Sequence, residues 1–378
     1  MSGEPKPIFY ARPAVDAPGL DLADDPAPLH DKPLVSLVVP AYNEAAVVET
    51  NLGVLFDYMR SMEHKYDWEM LVVNDGSKDN TSMLAKAFAA THSNVFVLDH
   101  AVNFGLGQAL KFAFNECRGD YIVTVDMDLS YSPDHIERLL DTLVKTRAKI
   151  VVASPYLRGG SVENVPELRR ILSVGANKFL SIASHGRLKT LTGMVRAYDA
   201  KFLKTLDFYS MGMEVNSEIL YKAMVLRARI EEIPAVLKWH LPPPADPAAA
   251  AATPDKPVRK SNMRIARYVA TLLVSGFLYR PIMFFLVPGA TALAIFAWCG
   301  LWMLVDIFQF HGLTGAWQNA PATFITGGLA LLAAVQMLSC GLISLQNKCY
   351  FEQMFHLGTS TYRMSRGAGR EIVREGKR

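Results

Sequence analysis

The chain has 378 residues, 51% hydrophobic and 20% charged, with a formal net charge of +3. That length can bury a sizeable core, and the near-neutral balance argues against a nucleic-acid binder. Four cysteines (Cys117, Cys299, Cys340 and Cys349) form no CxxC pair, which argues against a disulfide framework or a cysteine metal site.

The opening, residues 1–33, carries Pro5, Pro7, Pro13, Pro18, Pro26, Pro28 and Pro33 and reads as a flexible leader. No apolar run precedes Leu34, so no secretory signal is expected and the soluble part is expected to stay cytoplasmic. From Leu34 short β-branched runs alternate with helical stretches. The predicted strands are Leu34–Val39, Met70–Val73, Val95–Leu98, Tyr121–Val125 and Ile150–Ala153. This alternation predicts an α/β domain, residues 34–240, with a mainly parallel sheet and ligands beyond the carboxyl ends of its strands.

Three polar clusters fall there. After the first strand comes Pro40-Ala-Tyr42-Asn43-Glu44, where Tyr42 can stack on a base and Glu44 can accept from base or ribose. After the second comes Asn74-Asp75-Gly76-Ser77-Lys78-Asp79-Asn80-Thr81. Asp75 is a further acceptor, Gly76 a permissive turn, and Asp79 or Thr81 a helix cap. After the fourth, Val123-Thr-Val-Asp126-Met-Asp128 sets two carboxylates at i and i+2, which leave a strand on one side and can converge on a divalent cation. Each cluster alone reads equally well as turn chemistry.

Further on, Pro242 to Pro257 is a Pro/Ala stretch within a linker at 241–261 that ends in Lys256, Arg259 and Lys260. Tyr268 to Tyr279 is too short to span a bilayer and suits an interfacial helix at 262–280. Pro281–Val305 and Leu313–Asn347 carry no charge and predict a two-span hairpin over 281–347. The connector has no Lys or Arg, whereas the tail at 348–378 holds Lys348, Arg363, Arg366, Arg370, Arg374, Lys377 and Arg378. Both termini are therefore expected on the cytoplasmic side.

With PAYNE at 40–44, NDGSKDNT at 74–81, NFGLGQAL at 103–110, DMDLSYSP at 126–133 and SPYLRGGSVENVPELRR at 154–170, the chain resembles the family 2 glycosyltransferases of GT-A fold. It is most similar to the dolichol-phosphate mannosyltransferase-like branch acting on polyprenyl phosphates. The resemblance implies inverting transfer from a nucleoside diphosphate sugar, with Pro40, Tyr42, Glu44 and Asp75 around the nucleoside and Asp126 and Asp128 holding Mg2+ or Mn2+. It places an acceptor-phosphate arginine at Arg169, Ser173 near the same phosphate, and an acceptor-side loop at Leu191–Met194 in which Gly193 allows close approach. Arg158 adds a nearby cation. Glu218 matches an acidic position of the branch; it and Glu214, one helical turn away, are the candidate bases should the acceptor be a hydroxyl.

Three departures stand out. Pro155 replaces the arginine of the branch's SRY, Ser130 stands where a glutamine ligand is usual, and Lys256–Asn262 degrades the usual RxxGxSK segment. The expected protein is a GT-A domain, an interfacial helix and two spans, moving one sugar from a nucleotide sugar to a polyprenyl phosphate. A glycolipid synthase acting on a lipid hydroxyl and a non-catalytic nucleotide-sugar-binding scaffold are the alternatives. A homo-oligomer packed through the hairpins follows from the resemblance alone.

Overall fold

The computed structural model describes residues 32–165, 170, 173–175, 177–178, 181, 188–238 and 281–375. The leader, the Pro/Ala linker, the proposed interfacial helix and Arg169 lie outside the described residues.

The sheet begins with β1 (Leu34–Ala41), β2 (Asp67–Asn74), β3 (Val95–Asp99), β4 (Tyr121–Thr124) and β5 (Ile150–Ser154), close to the five expected strands. Helices α1 (Val48–Ser61), α2 (Thr81–Ala90), α3 (Leu106–Glu116) and α4 (Asp134–Thr146) alternate with them. Four later strands were not read from the sequence: β6 (Ser161–Glu163), β7 (Arg196–Asp199), β8 (Ile230–Pro234) and β9 (Val236–Lys238). Short helix α5 (Ala200–Leu203) follows β7, and α6 (Val215–Val225) precedes β8.

The main sheet runs β3-β2-β1-β4-β7-β5-β8; β7 is antiparallel to both its neighbours, and the other pairs are parallel. Strands β6 and β9 form a separate parallel pair. The apolar runs of β1 and β2 are continuous because both faces are covered. Val35, Leu37 and Val39 face a core built with α1 and α4, whereas Val38, Leu71 and Val73 face one built with α3 and α6. A one-residue slip would exchange these sets, so the register is strongly specified.

Sequence order reverses at β1, which lies between β2 and β4, and the crevice at such a point is where open α/β sheets bind ligands. The chain past β1 carries Tyr42–Glu44, and the chain past β4 carries Asp126 and Asp128.

Helices α7 (Pro281–Gln309), α8 (Leu313–Asn319) and α9 (Pro321–Glu375) complete the described chain. Two of them are long and apolar enough to cross a membrane, over Met283–Gln309 and Pro321–Phe355. The second span starts at Pro321 rather than at the expected Leu313, because Leu313–Asn319 forms its own helix and Ala320, at φ −134°, breaks out of it. The residue before a proline is disfavoured in the α region, and here that sets the boundary. Span and tail are continuous through Asn347, because α9 is one helix of 55 residues from Pro321 to Glu375.

The two long helices are antiparallel. A Cβ on Gly289 would lie 3.3 Å from that of Met337, and one on Gly327 would lie 3.1 Å from that of Cys299, so glycines mark the close approaches.

Candidate active site at the carboxyl edge of the sheet

The turn after β1 and the loop after β2 clasp each other. Asn43, left-handed at φ 56°, accepts from the Lys78 amide through Oδ1 at 2.8 Å and donates its own amide to Ser77 Oγ at 2.9 Å. Glu44 N donates to Thr81 Oγ1 at 2.8 Å and Ala45 N to Asp79 Oδ2 at 3.2 Å. Asp79 also accepts from the Thr81 amide, in the first turn of α2, at 3.0 Å. Burial opposes ionisation of Asp79, but the Thr81 and Ala45 hydrogen bonds prevail and hold its carboxyl below the usual range. This clasp leaves Tyr42 exposed at 42%, with a ring face open to stacking.

Gly76 sits at φ +64°, and a Cβ there would lie 2.2 Å from the Val102 carbonyl carbon, so both backbone and space require glycine. That approach brings up the loop containing Asn103, where the buried Asp75 carboxylate organises the contacts. Its Oδ1 meets His100 Nδ1 at 2.9 Å and the Phe104 amide at 3.0 Å; its Oδ2 accepts from Asn103 Nδ2 at 3.0 Å and the Gly105 amide at 2.8 Å. A carboxylate has about four lone-pair positions, and protein donors take all of them. The sequence reading gave Asp75 a direct base or ribose contact; in this arrangement it builds the loop, and a nucleoside N–H or O–H would have to share carboxylate oxygens that already accept from four donors.

At the end of β4, Asp126 and Asp128 share one turn with Leu129 left-handed at φ 51°. Asn51 of α1 pins this turn through the Met127 carbonyl at 2.8 Å. Ser130 donates to Asp128 Oδ1 through its amide at 3.0 Å and its hydroxyl at 2.6 Å. The serine in place of the usual glutamine therefore orients the second aspartate, and both bonds leave Oδ2 available. Burial first, then the Asp128 charge, then that of Glu44, push the Asp126 carboxyl up to about 7. The charges of Asp128 and Glu44 thus bear on a buried Asp126, and no described donor neutralises it. Such a cluster of negative charge fits a divalent cation. Among the described residues no group of three or more His, Cys, Asp or Glu is placed to hold an ion by itself, so further ligands would come from substrate or water.

The expected acceptor-side residues lie between β5 and β7 in the chain. Thr124 Oγ1 donates to the Met194 carbonyl at 2.5 Å, which ties the Leu191–Met194 loop to the strand carrying the aspartates. A Cβ on Gly193 would come within 3.0 Å of the Thr190 methyl, so packing within the loop already accounts for this glycine. Ser173 Oγ lies 2.7 Å from the Tyr156 hydroxyl, and Asn177 ties the Ser173 carbonyl to the Leu191 amide at 3.0 and 2.9 Å. Arg158 is exposed in the turn after β5, and the buried Pro155 contributes no charge.

The two acidic candidates on α6 differ. Glu218, 7% exposed, pairs with Lys222 at 2.7 Å and accepts from the Ser210 amide at 2.9 Å. Burial opposes its charge, but Lys222 and Ser210 hold its carboxyl below the usual range. It braces the Tyr209–Ser210 loop, with its carboxylate held by Lys222 and the Ser210 amide. Glu214 is half-buried at the start of α6 and accepts from the Gly212 amide at 3.0 Å, where the helix N-terminus favours an anion.

Sequence reasoning missed Asn51, His100 and the fully buried Arg196, whose guanidinium donates to the carbonyls of Leu191 at 2.9 Å and Asn216 at 2.7 Å. It also missed why NFGLG carries two glycines. A Cβ at Gly105 would lie 2.5 Å from the Met211 oxygen, and one at Gly107 would lie 1.9 Å from the Ser210 oxygen. The paired glycines were the available signal.

An open α/β sheet with carboxylates and an exposed aromatic ring gathered at its switch point defines an α/β domain of the nucleotide-binding class. Comparison with known proteins gives the family: residues 36–207 match glycosyl transferase family 2. The chain is 30% identical over 226 residues to a dolichyl-phosphate beta-glucosyltransferase of Trichomonas vaginalis, covering 57% of this chain and 67% of that one. It is 31% identical over 206 residues to an undecaprenyl-phosphate mannosyltransferase of Micrococcus luteus, covering 53% and 82%. It spans 55% of the dolichol-phosphate mannosyltransferase of Pyrococcus furiosus, at 29% identity and 53% coverage of this chain. A crystal structure of glucosyl-3-phosphoglycerate synthase from Mycobacterium tuberculosis with Mn2+, UDP and glucosyl-3-phosphoglycerate superposes with a TM-score of 0.46 at 21% identity, over 64% of this chain and 80% of that one. The chain belongs to glycosyl transferase family 2 and is a glycosyltransferase with an α/β domain built on a mostly parallel sheet.

Proposed function

We propose that this protein transfers one sugar, with inversion, from a nucleoside diphosphate sugar to a polyprenyl phosphate at a membrane surface. The observation that carries the reading is the DxD turn at the end of β4, where Ser130 orients Asp128 through Oδ1 and the charges of Asp128 and Glu44 bear on the buried Asp126. Tyr42 offers a stacking face for the base, with Pro40 and Glu44 beside it, and Asp75 shapes the wall through the Asn103–Gly105 loop. Asp126 and Asp128 Oδ2 would hold Mg2+ or Mn2+. A cation there supplies charge neutralisation for the departing diphosphate.

The names of the relatives support the acceptor, since those from Trichomonas vaginalis and Micrococcus luteus are described as acting on dolichyl and undecaprenyl phosphate. A phosphate acceptor is already ionised and needs positioning and charge compensation rather than a base. Tyr156 and Ser173 form a hydroxyl pair suited to that phosphate, with Arg158 and Arg169 as the proposed cations. The locked state of Glu218 weakens the alternative in which a lipid hydroxyl is activated. The two apolar helices would hold the domain at the membrane, with both termini on the side of the basic tail.

The test is to incubate membranes containing the protein with labelled nucleotide sugars, with and without EDTA, and to treat the extracted lipid with mild acid. A chelator-sensitive, acid-labile product is expected. An acid-stable product would move the acceptor to a hydroxyl and leave Glu214 as the base.

A further inference from the structure

We propose that the catalytic edge docks on the bilayer through an apolar platform made of two loops, Val102–Phe104 and Tyr209–Met213. Apolar side chains commonly stand out singly on a surface; here five stand on adjoining loops, with Val102 56%, Phe104 46%, Tyr209 70%, Met211 48% and Met213 58% exposed. Gly107 N donates to the Met211 oxygen at 2.7 Å, which joins the loops.

Neither loop is slack. The Asp75 carboxylate fixes the Phe104 and Gly105 amides at 3.0 and 2.8 Å, and Glu218 fixes those of Tyr209 and Ser210 at 3.2 and 2.9 Å. Two buried carboxylates thus hold the backbone while the large side chains point outward, as a docking face requires.

Continuity with the hairpin identifies the occupant. Lys222 Nζ lies 5.2 Å from the centre of the Tyr209 ring and 5.5 Å from that of Phe355 on α9. Beside Phe355, α9 exposes Tyr350, Phe351, Met354 and Leu357. The helix-pair register sets the start of α7 beside the stretch around Leu345, so these aromatic turns begin where the hairpin would leave the hydrocarbon. Lys111 Nζ stands 5.0 Å from the centre of the same Tyr209 ring. Aromatic and methionine side chains beside the half-exposed Lys111 match the headgroup boundary, with apolar groups toward the acyl chains and the Lys111 ammonium toward the lipid headgroups; Lys222 stays buried on Glu218 and serves only to join the Tyr209 loop to α9.

The platform adjoins the Asp75 loop at the carboxyl edge of the sheet. Docking it would set that edge at headgroup depth, where the phosphate of a polyprenyl acceptor lies. This consequence rests on the acceptor reading above; the docking itself does not.

The experiment uses the full chain in nanodiscs containing anionic phospholipid, with Cys340 and Cys349 replaced by alanine and a nitroxide placed at Met213→Cys. Thr91→Cys, exposed beyond the end of α2 at the opposite edge, is the control. Met213 is expected to be more accessible to oxygen than to a water-soluble nickel chelate, with the reverse at Thr91. Equal behaviour at the two sites overturns the proposal, and so does protection from both reagents with spin–spin broadening, which marks a second copy of the chain as the occupant. A second arm compares acceptors: Met211→Ser/Met213→Ser should lose about tenfold or more in turnover of long-chain polyprenyl phosphate in bilayers, yet stay within about twofold on a short-chain polyprenyl phosphate in detergent. Equal turnover of the two by the variant, relative to wild type, also overturns docking. Failure of wild type on both acceptors defeats the acceptor reading alone, and the nitroxide result still decides the docking.

Discussion

Replacing Asp75 with alanine separates a loop-building role from direct contact with the nucleoside. The substitution removes an acceptor from four donors at once: His100 Nδ1, Asn103 Nδ2, and the amides of Phe104 and Gly105. The two side chains can turn away, but the two amides are fixed by a glycine-dependent backbone. An unsatisfied buried donor costs roughly 1–3 kcal/mol, and water reaches this part-buried loop, so the two amides together should cost about 2–4 kcal/mol. At about 2–4 °C per kcal/mol for a domain of this size, the melting temperature of the detergent-solubilised protein should fall by roughly 4–16 °C. Donor KM should rise in parallel, since the same loop carries Gly105 and Gly107 against the Ser210–Met211 carbonyls. The measurement is a thermal melt by intrinsic fluorescence alongside donor titration. An unchanged melt with a lost donor affinity would refute the loop-building argument and return Asp75 to direct contact with the base.

Asp128→Asn should cut transfer by about a hundredfold or more, the scale of losing a group that stabilises transition-state charge, and leave the melting temperature within a degree or two. Because the Asp126 carboxyl is pushed up to about 7, a cation must compete with a proton there. Divalent-ion affinity, followed by titration calorimetry, should climb as pH rises to about 7 and level off above it; a flat profile between pH 5 and 8 would contradict the crowding of Glu44, Asp126 and Asp128. Glu218→Gln strands the buried Lys222 and should cost about 3–5 kcal/mol while sparing the chemical step, so full stability with abolished turnover would restore Glu218 as a base. The wild-type pair carries the corresponding pH dependence: Glu218 is held below its ordinary value, so its contribution is complete above the unfolded carboxylate range, near pH 4.5, and is lost as pH falls through the folded value. Gly107→Ala would set a methyl 1.9 Å from the Ser210 oxygen, and should lower the melting temperature and raise donor KM together; wild-type values for both would show that the two loops are not in contact.

What was legible in the sequence is what the backbone period and turn chemistry dictate locally. The buried strands β1 to β5 announce themselves as short β-branched runs because both faces are covered, and the positive φ at Gly76 leaves its mark in residue type. The DxD spacing and the absence of charge in the long apolar stretches are local in the same way.

Long-range pairing is different. Strand β7 is four residues long, and with buried Arg196 at its head it looks unlike a strand until β4 and β5 close around it. Glu218 read as a candidate base from its position in the motif; the fold buries it against Lys222, four residues on in α6, where it braces a loop. Asp75 looked like a free acceptor because its four donors come from residues 25 to 30 positions away. The sequence by itself determined which chemistry reaches the carboxyl edge. Only the tertiary structure decided which of those carboxylates are left uncompensated there, because the donors that neutralise the others are supplied by distant segments of the chain.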